Sequence, residues 1–428
     1  MATIRKSGKI CCILITTLIV SGIIGLSAMC LAFRLPTDRI KNNVAASIGI
    51  LQQETDYFSV TKWISGSKLD NYTEALYLNQ ALIDGKNNGV IYSALAGCLY
   101  LSDYDCLPVE NLIQVIDQVD DLKPLPSPSN RFWNGYEVFV KVLLEFTDYA
   151  GIRQINYFLV FLLFIFVCYL MLKKKIEQYV FPFIIAFLFL NPIAISLCMT
   201  YSGFYYCAII PCIIMLLSND WLKTGNRYIV FFEIVGISTF YFNMNYFQLV
   251  SFGFPMIFYY ILNGFPETAP KMLLQVLWYF MIWFIGYAGM MALKWIIYAF
   301  LFDPNMFLAM FNNILLRVST QVDSAEITRS HAVLVNIREA IGNVYFDIIE
   351  LVFVIASLYR YIKSKRAYRF SFVEAVFLTV MLFLPIGRYV IFANHVSIHR
   401  WVTYRILAIP LLAFNIFVAR VGMSNEME

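Results

Sequence analysis

Two carboxylates stand four residues apart in Lys68-Leu69-Asp70-Asn71-Tyr72-Thr73-Glu74. If Asp70 or Asn71 caps the helix that follows, Asp70 and Glu74 lie about one turn apart. That spacing can set a general base beside a metal or phosphate site. It equally fits an N-cap aspartate followed by a solvated glutamate. Asp103-Tyr104-Asp105 is a second acidic pair, suited to a divalent cation bridging diphosphate oxygens or to an exposed turn. In Asn130-Arg131-Phe132-Trp133-Asn134-Gly135-Tyr136 a guanidinium sits among aromatic rings. Arg131 suits a phosphate, and Trp133 and Tyr136 suit a sugar face or an isoprenoid. The same rings would also form an interfacial aromatic belt. The chain has only three histidines, and two stand four apart in Asn394-His395-Val396-Ser397-Ile398-His399-Arg400-Trp401, with Tyr404 and Arg405 following. On a helix His395 and His399 share one face, where they could contact a phosphate, bind a metal or move a proton. Arg388, Arg400 and Arg405 crowd the same part of the chain, while His331 lies with Arg317, Arg329 and Arg338 in the segment 299–343.

The elements that carry these residues follow from composition. Of the 428 residues, 60% are hydrophobic and 14% charged, with a mean hydropathy of +0.68. Soluble domains carry about 25% charged residues, so this balance excludes a soluble globular protein, a disordered tail and a nucleic-acid-binding module. Length here counts crossings of about 20 apolar residues each. The pattern predicts an all-α polytopic membrane protein with about ten transmembrane helices. The first lies near 10–33, and the others near 155–172, 179–199, 202–218, 228–243, 246–262, 272–298, 344–362, 372–392 and 402–420. The organisation is then a tail and first helix (1–33), a large polar loop (34–154), a bundle (155–298), a second loop (299–343) and C-terminal helices with a short tail (344–428). Short helices are expected in the large loop at 42–54, 72–83, 108–119 and 134–147, with a turn-rich break from Pro124 to Ser129.

Charge orients the chain. Arg5, Lys6 and Lys9 precede the first span and keep the N-terminus in the cytoplasm, and its long apolar core reads as an anchor rather than a cleaved signal. The segment 34–154 has ten Lys and Arg against fifteen Asp and Glu, a balance of −5, whereas the whole chain carries +4. Lys173, Lys174, Lys175, Lys223, Arg227, Lys271, Arg360, Lys363, Lys365, Arg366 and Arg369 mark inner loops. The short connections at 199–201 and 243–245 have no Lys or Arg. Both termini are therefore expected in the cytoplasm and the large loop outside a cell membrane. Charge near the middle of the bilayer is scarce, which weighs against an ion-driven transporter. No discontinuous-helix pair stands out in the sequence. The nine cysteines read as small hydrophobes, although Cys98 and Cys106 could form a bridge in the large loop.

This layout, with one inward-anchored helix, a large first outer loop carrying an early acidic residue and then a bundle, resembles the GT-C superfamily of polytopic membrane glycosyltransferases. The patches Leu69 to Glu74, Asn130 to Tyr136 and Asn394 to Arg405 also resemble membrane proteins of Gram-positive, Clostridia-like bacteria associated with surface polysaccharides. The resemblance implies transfer of a sugar from a polyprenyl-phosphate donor to a cell-surface glycan such as a wall polysaccharide. It implies Asp70 as base, with Glu74 or Asp103 and Asp105 as runners-up, although the paired acidic motif common directly after the first span is missing. Tyr72, Arg131, Trp133, Tyr136, His395, His399, Arg400, Tyr404 and Arg405 are then candidate substrate ligands. A divalent cation is optional, since Arg and His can take its place. The partners are membrane lipids, the lipid-linked sugar and the glycan acceptor, with no nucleic acid. A flippase or transporter of lipid-linked saccharides, a polysaccharide polymerase or ligase, and a non-catalytic assembly partner are the competing readings.

Overall fold

Backbone amides and carbonyls must bond to one another where water is absent, so apolar runs of sufficient length close into helices. The computed structural model describes residues 2–102, 105–242, 246–322, 325–342, 344–364 and 371–422. Six helices are long and apolar enough to cross a membrane: Gly8–Ala32, Tyr149–Lys173, Met199–Leu222, Ala269–Leu301, Phe372–Ile391 and Arg400–Val421. A seventh is reached if Arg329–Ile341 and Phe346–Lys363, bent by 80°, form one broken span. The described chain is all-α apart from two two-stranded ladders and one isolated bridge. Its apolar helices make a multi-pass membrane protein the natural reading.

The other apolar runs are shorter or interrupted. The run at 179–199 is two helices, Val180–Phe189 and Pro192–Leu197. Asn191 between them takes a left-handed backbone with φ 58°, and its side chain accepts the Ala194 amide at 3.1 Å. Pro192 cannot donate back into the first helix and starts the second. A discontinuous helix is therefore present where the sequence pattern suggested one span. Arg227–Phe242 and Val250–Asn263 have 16 and 14 residues, and the turn expected between them at 243–245 lies outside the described residues.

The polar segment forms its helices where its periodicity places them: Asp38–Glu54, Asn71–Ala81, Pro108–Val115 and Glu137–Leu144. The Pro-rich break also supplies Leu125–Pro126, which pairs antiparallel with Cys98–Leu99. Cys98 and Cys106 are both free thiols. This segment is not a free-standing unit. Its core residues Leu78, Leu95, Leu112 and Trp133 join Met29 of the first helix, Phe33 just after it, and Ile237, Tyr241 and Met290 of the bundle in one apolar cluster. A second cluster fills the rest of the bundle.

The bundle's closest helix pair is Arg227–Phe242 against Ala269–Leu301. A Cβ on Gly236 would stand 2.0 Å from the Trp283 carbonyl oxygen, and one on Gly286 would stand 2.2 Å from that of Glu233. Reciprocal glycines let the two backbones touch, as small residues do at membrane helix interfaces. Gly286→Ala is expected to force the helices apart and destabilise the protein by about 1–3 kcal/mol. Thermal unfolding of the purified protein in detergent reads this, and an unchanged Tm would show that the pair is not closely packed.

Candidate functional site

The first turn of Asn71–Ala81 carries two buried carboxylates that the fold treats in opposite ways. Asp70 is the N-cap and accepts the Thr73 amide at 3.2 Å and the Thr73 hydroxyl at 2.8 Å. One turn on, Glu74 is fully buried and is saturated by the start of the helix Met199–Leu222. It accepts the amides of Met199 and Thr200 at 3.0 and 2.9 Å, the Thr200 hydroxyl at 2.6 Å and the Tyr149 hydroxyl at 2.7 Å. A carboxylate at a helix N-terminus meets orphan amides and the positive end of the macrodipole. Glu74 is thus a tether between the polar segment and the bundle, with no open lone pair for a substrate. The tether is reinforced by Arg153, which reaches both oxygens of Glu54 at 2.8 and 2.7 Å and Asn71 Oδ1 at 3.0 Å.

Asp70, held by this frame, turns its remaining capacity toward Tyr246, whose hydroxyl donates to Asp70 Oδ2 at 2.8 Å. Only 3% of Asp70 is exposed. Burial pushes its carboxyl up to about 6, against the opposing pull of the Thr73 and Tyr246 hydrogen bonds. The Tyr246 ring stacks parallel to His395 at 6.0 Å between centroids and meets His399 edge-on at 5.2 Å. The two imidazoles are 4.8 Å apart, on one face as their spacing required. The Arg317 guanidinium contacts His395 Nδ1. Arg388 donates to the Tyr246 carbonyl at 3.2 Å. Burial, together with the charge of Arg317, lowers Arg131 to about 10 and His399 to about 3. His399 is therefore a neutral imidazole at physiological pH.

Arg131 and Arg317 form no ion pair with a carboxylate among the described residues. Arg131 Nε is buried without a hydrogen-bond partner among them. The two half-buried guanidiniums are near enough to repel each other, and among the described residues neither has the carboxylate that ordinarily offsets such a charge. The arrangement is suited to receive a phosphate beside a carboxyl poised to take a proton.

Other sequence candidates have different surroundings. Trp133 is fully buried, its indole donating to the Met290 carbonyl at 2.8 Å. Tyr136 stacks on Tyr77 at 3.5 Å. Both are packing residues rather than open sugar platforms. Arg405 is fully buried and donates to the carbonyls of Leu190 at 2.8 Å, Trp401 at 2.9 Å and Gly66 at 2.7 Å. It closes the end of Val180–Phe189, so the break at Asn191 is satisfied by the protein itself. Tyr404 donates to the Phe189 carbonyl at 3.4 Å. Arg400 is exposed, 3.7 Å from Glu339. Tyr72 is half-buried and stacks on Tyr57. Asp105 is exposed, and Asp103 lies outside the described residues. Among those residues no group of three or more His, Cys, Asp or Glu is placed to hold a metal ion.

Tyr246 is the residue the sequence pattern did not single out. It is one of 28 tyrosines, placed at the edge of an apolar run, and carries no local signal. Comparison with protein-family models, curated proteins and solved structures finds no match to this chain, so the site is read from its own geometry.

The two carboxylates separate by substitution. Glu74→Ala leaves buried amides unpaired and is expected to lower stability by about 1–3 kcal/mol. Asp70→Asn keeps an N-cap of similar strength and is expected to cost less than about 1 kcal/mol. Thermal melts of both variants check the contrast, and equal losses would contradict the division of roles.

Proposed function

We propose that the protein is an integral membrane glycosyltransferase of the GT-C type, moving a sugar from a polyprenyl-phosphate donor to a surface glycan outside the membrane. The observation that carries this reading is the Asp70–Tyr246 pair beside two imidazoles and the unneutralised Arg131 and Arg317. A buried carboxyl with its pKa raised toward neutrality is matched to taking a proton from an acceptor hydroxyl. Adjacent guanidiniums are matched to the charge that gathers on a departing phosphate.

The proposed step balances. The acceptor oxygen bonds to the anomeric carbon as the bond from that carbon to the phosphate oxygen breaks. The hydroxyl proton goes to Asp70, and the electron pair leaves on the polyprenyl phosphate. Arg131 and Arg317 hold that phosphate. Tyr246 keeps the Asp70 carboxylate oriented, and His395 and His399 pack its ring in place.

The reading carries a threading. The N-terminus lies in the cytoplasm and the polar segment outside. Ten crossings require the broken pair Val180–Phe189 and Pro192–Leu197, the helices Arg227–Phe242 and Val250–Asn263, and Val344–Ser364 to cross beside the six long ones. On this path Asp70 and Arg131 fall in the outer polar segment, and Tyr246, Arg317, Arg388 and His395 fall on the outer side of the bundle. Their convergence in space supports it.

Purified protein given a panel of radiolabelled polyprenyl-phosphate sugars is expected to transfer label, and Asp70→Asn to abolish transfer while folding normally. Full activity in Asp70→Asn would remove the base. Flux of intact lipid-linked saccharide across proteoliposomes, with no chemical change, would replace the enzyme by a flippase.

The pH profile supplies a second check. Ionised Asp70 is the active form, so the rate should fall as pH drops through about 6. Tyr246→Phe removes a hydrogen bond that favours the carboxylate, so the acid limb should move to higher pH. A limb that stays in place would separate Asp70 from the proton transfer.

A further inference from the structure

Tyr57 and Tyr72 lie near Asp70 and belong to a surface of different chemistry. The chain at 58–69 folds back on itself, with Ser59 bridged to Lys68 and the Leu69 amide donating to the Phe58 carbonyl at 2.7 Å. This turn brings Tyr57 edge-on to Trp401 at 5.6 Å and parallel to Tyr72 at 5.9 Å. The Lys68 amine stands 4.5 Å above the Trp401 ring and 5.3 Å above the Tyr57 ring. Tyr57 is 37% exposed, and Tyr72 and Trp401 are half-buried. Alongside is a narrow recess of about 10 Å³, room for no more than a water molecule, lined by Gly66, Tyr404 and Glu339 among others. Glu339 Oε1 is buried with no hydrogen-bond partner among the described residues, while its other oxygen faces Arg400 at 3.7 Å.

Aromatic faces present an apolar plane, and an unsatisfied carboxylate oxygen beside them seeks a donor. A pyranose offers both partners: an axial C–H face for the ring and hydroxyls for the carboxylate. A phosphate offers no apolar face for the rings. The two groups near Asp70 therefore differ in chemistry, with guanidiniums that have no carboxylate among the described residues in one, and aromatic rings with a carboxylate facing Arg400 in the other. His399 joins them, meeting Tyr246 edge-on at 5.2 Å and Trp401 at 5.6 Å.

The geometry points to an acceptor-saccharide subsite formed by Tyr57, Lys68, Tyr72, Glu339, Arg400 and Trp401, in which a pyranose lies on Trp401 and donates hydroxyls to Glu339. This inference rests on the glycosyl-transfer reading and names its second substrate class. The Lys68 amine covers the Trp401 face and would swing aside to meet the sugar's ring or hydroxyl oxygens. The subsite lies next to Asp70, so a hydroxyl of the bound sugar is brought to the base.

Equilibrium binding to the full-length protein in lipid nanodiscs tests it. The probes are tetrasaccharides of neutral hexose, N-acetylhexosamine and uronic acid, and, separately, undecaprenyl phosphate. At least one tetrasaccharide is expected to bind. Trp401→Ala and Glu339→Gln should weaken it by about tenfold or more, and Trp401→Phe by much less. Undecaprenyl phosphate should bind these variants as it binds the wild type, and should be lost in Arg317→Gln. Unchanged saccharide affinity in both Trp401→Ala and Glu339→Gln overturns the subsite. So does the absence of any saccharide binding by protein that still binds undecaprenyl phosphate. Saccharide binding that depends on Trp401 and Glu339, in protein that does not bind undecaprenyl phosphate, keeps the subsite and overturns the lipid-phosphate reading. If Trp401→Ala does not fold, Glu339→Gln with Trp401→Phe carries the test, since both nearly preserve shape.

Discussion

The rest of the molecule is arranged around the grip of Glu74 on the N-terminus of Met199–Leu222. Two amides and two hydroxyls converge on one buried carboxylate, so the helix Asn71–Ala81 cannot shift relative to the bundle without stranding a charge. Breaking a buried, fully bonded charge is costly because nothing in a dry interior replaces its partners. That rigidity is inherited by Asp70, the cap of the same helix. The position of Asp70 is thus precise although it lies in a long polar segment.

A common use of cations runs through the fold. Lys141 donates to the carbonyls of Ala81 and Ile83 at the end of Asn71–Ala81. Lys294 donates to the Leu95 carbonyl at the end of Val90–Ala96. Arg405 closes Val180–Phe189 through Leu190. Helix C-termini carry unsatisfied carbonyls and partial negative charge, so a buried cation there has a partner without needing a carboxylate. Arg131 and Arg317 stand apart from this scheme, because their charge is directed at the space around Tyr246 rather than at a helix end. That departure marks the site more clearly than any single residue does.

The same contrast governs what the site can accept. Around Asp70 lie the Arg131 and Arg317 guanidiniums near Tyr246 and the rings of Tyr57 and Tyr72, with His399 in contact with both Tyr246 and Trp401. On the proposed reading, donor phosphate and acceptor hydroxyl approach the reacting carbon from different directions, and each group would meet one of them. Neutral His399 adds no charge of its own to either side.

Composition and periodicity were enough to establish an all-α membrane protein, the short helices of its polar segment, Asp70 at the start of one of them, and two histidines on one face. Those features are local: they depend on neighbours within a turn or on the apolar length of a run. Burial and hydrogen-bond saturation are not local. Asp70 and Glu74 look alike in sequence, and only the arrival of Met199 and Thr200 from more than a hundred residues away makes one a tether and leaves the other open to Tyr246. Trp133, Tyr136 and Arg405 had the right chemistry for a ligand site, yet the carbonyls and rings that claim them come from distant segments. Tyr246 and the break at Asn191 were missed for the same reason. A tyrosine beside an apolar run, or an Asn-Pro step within one, gains its meaning from the group packed against it, and that pairing is set by the tertiary structure.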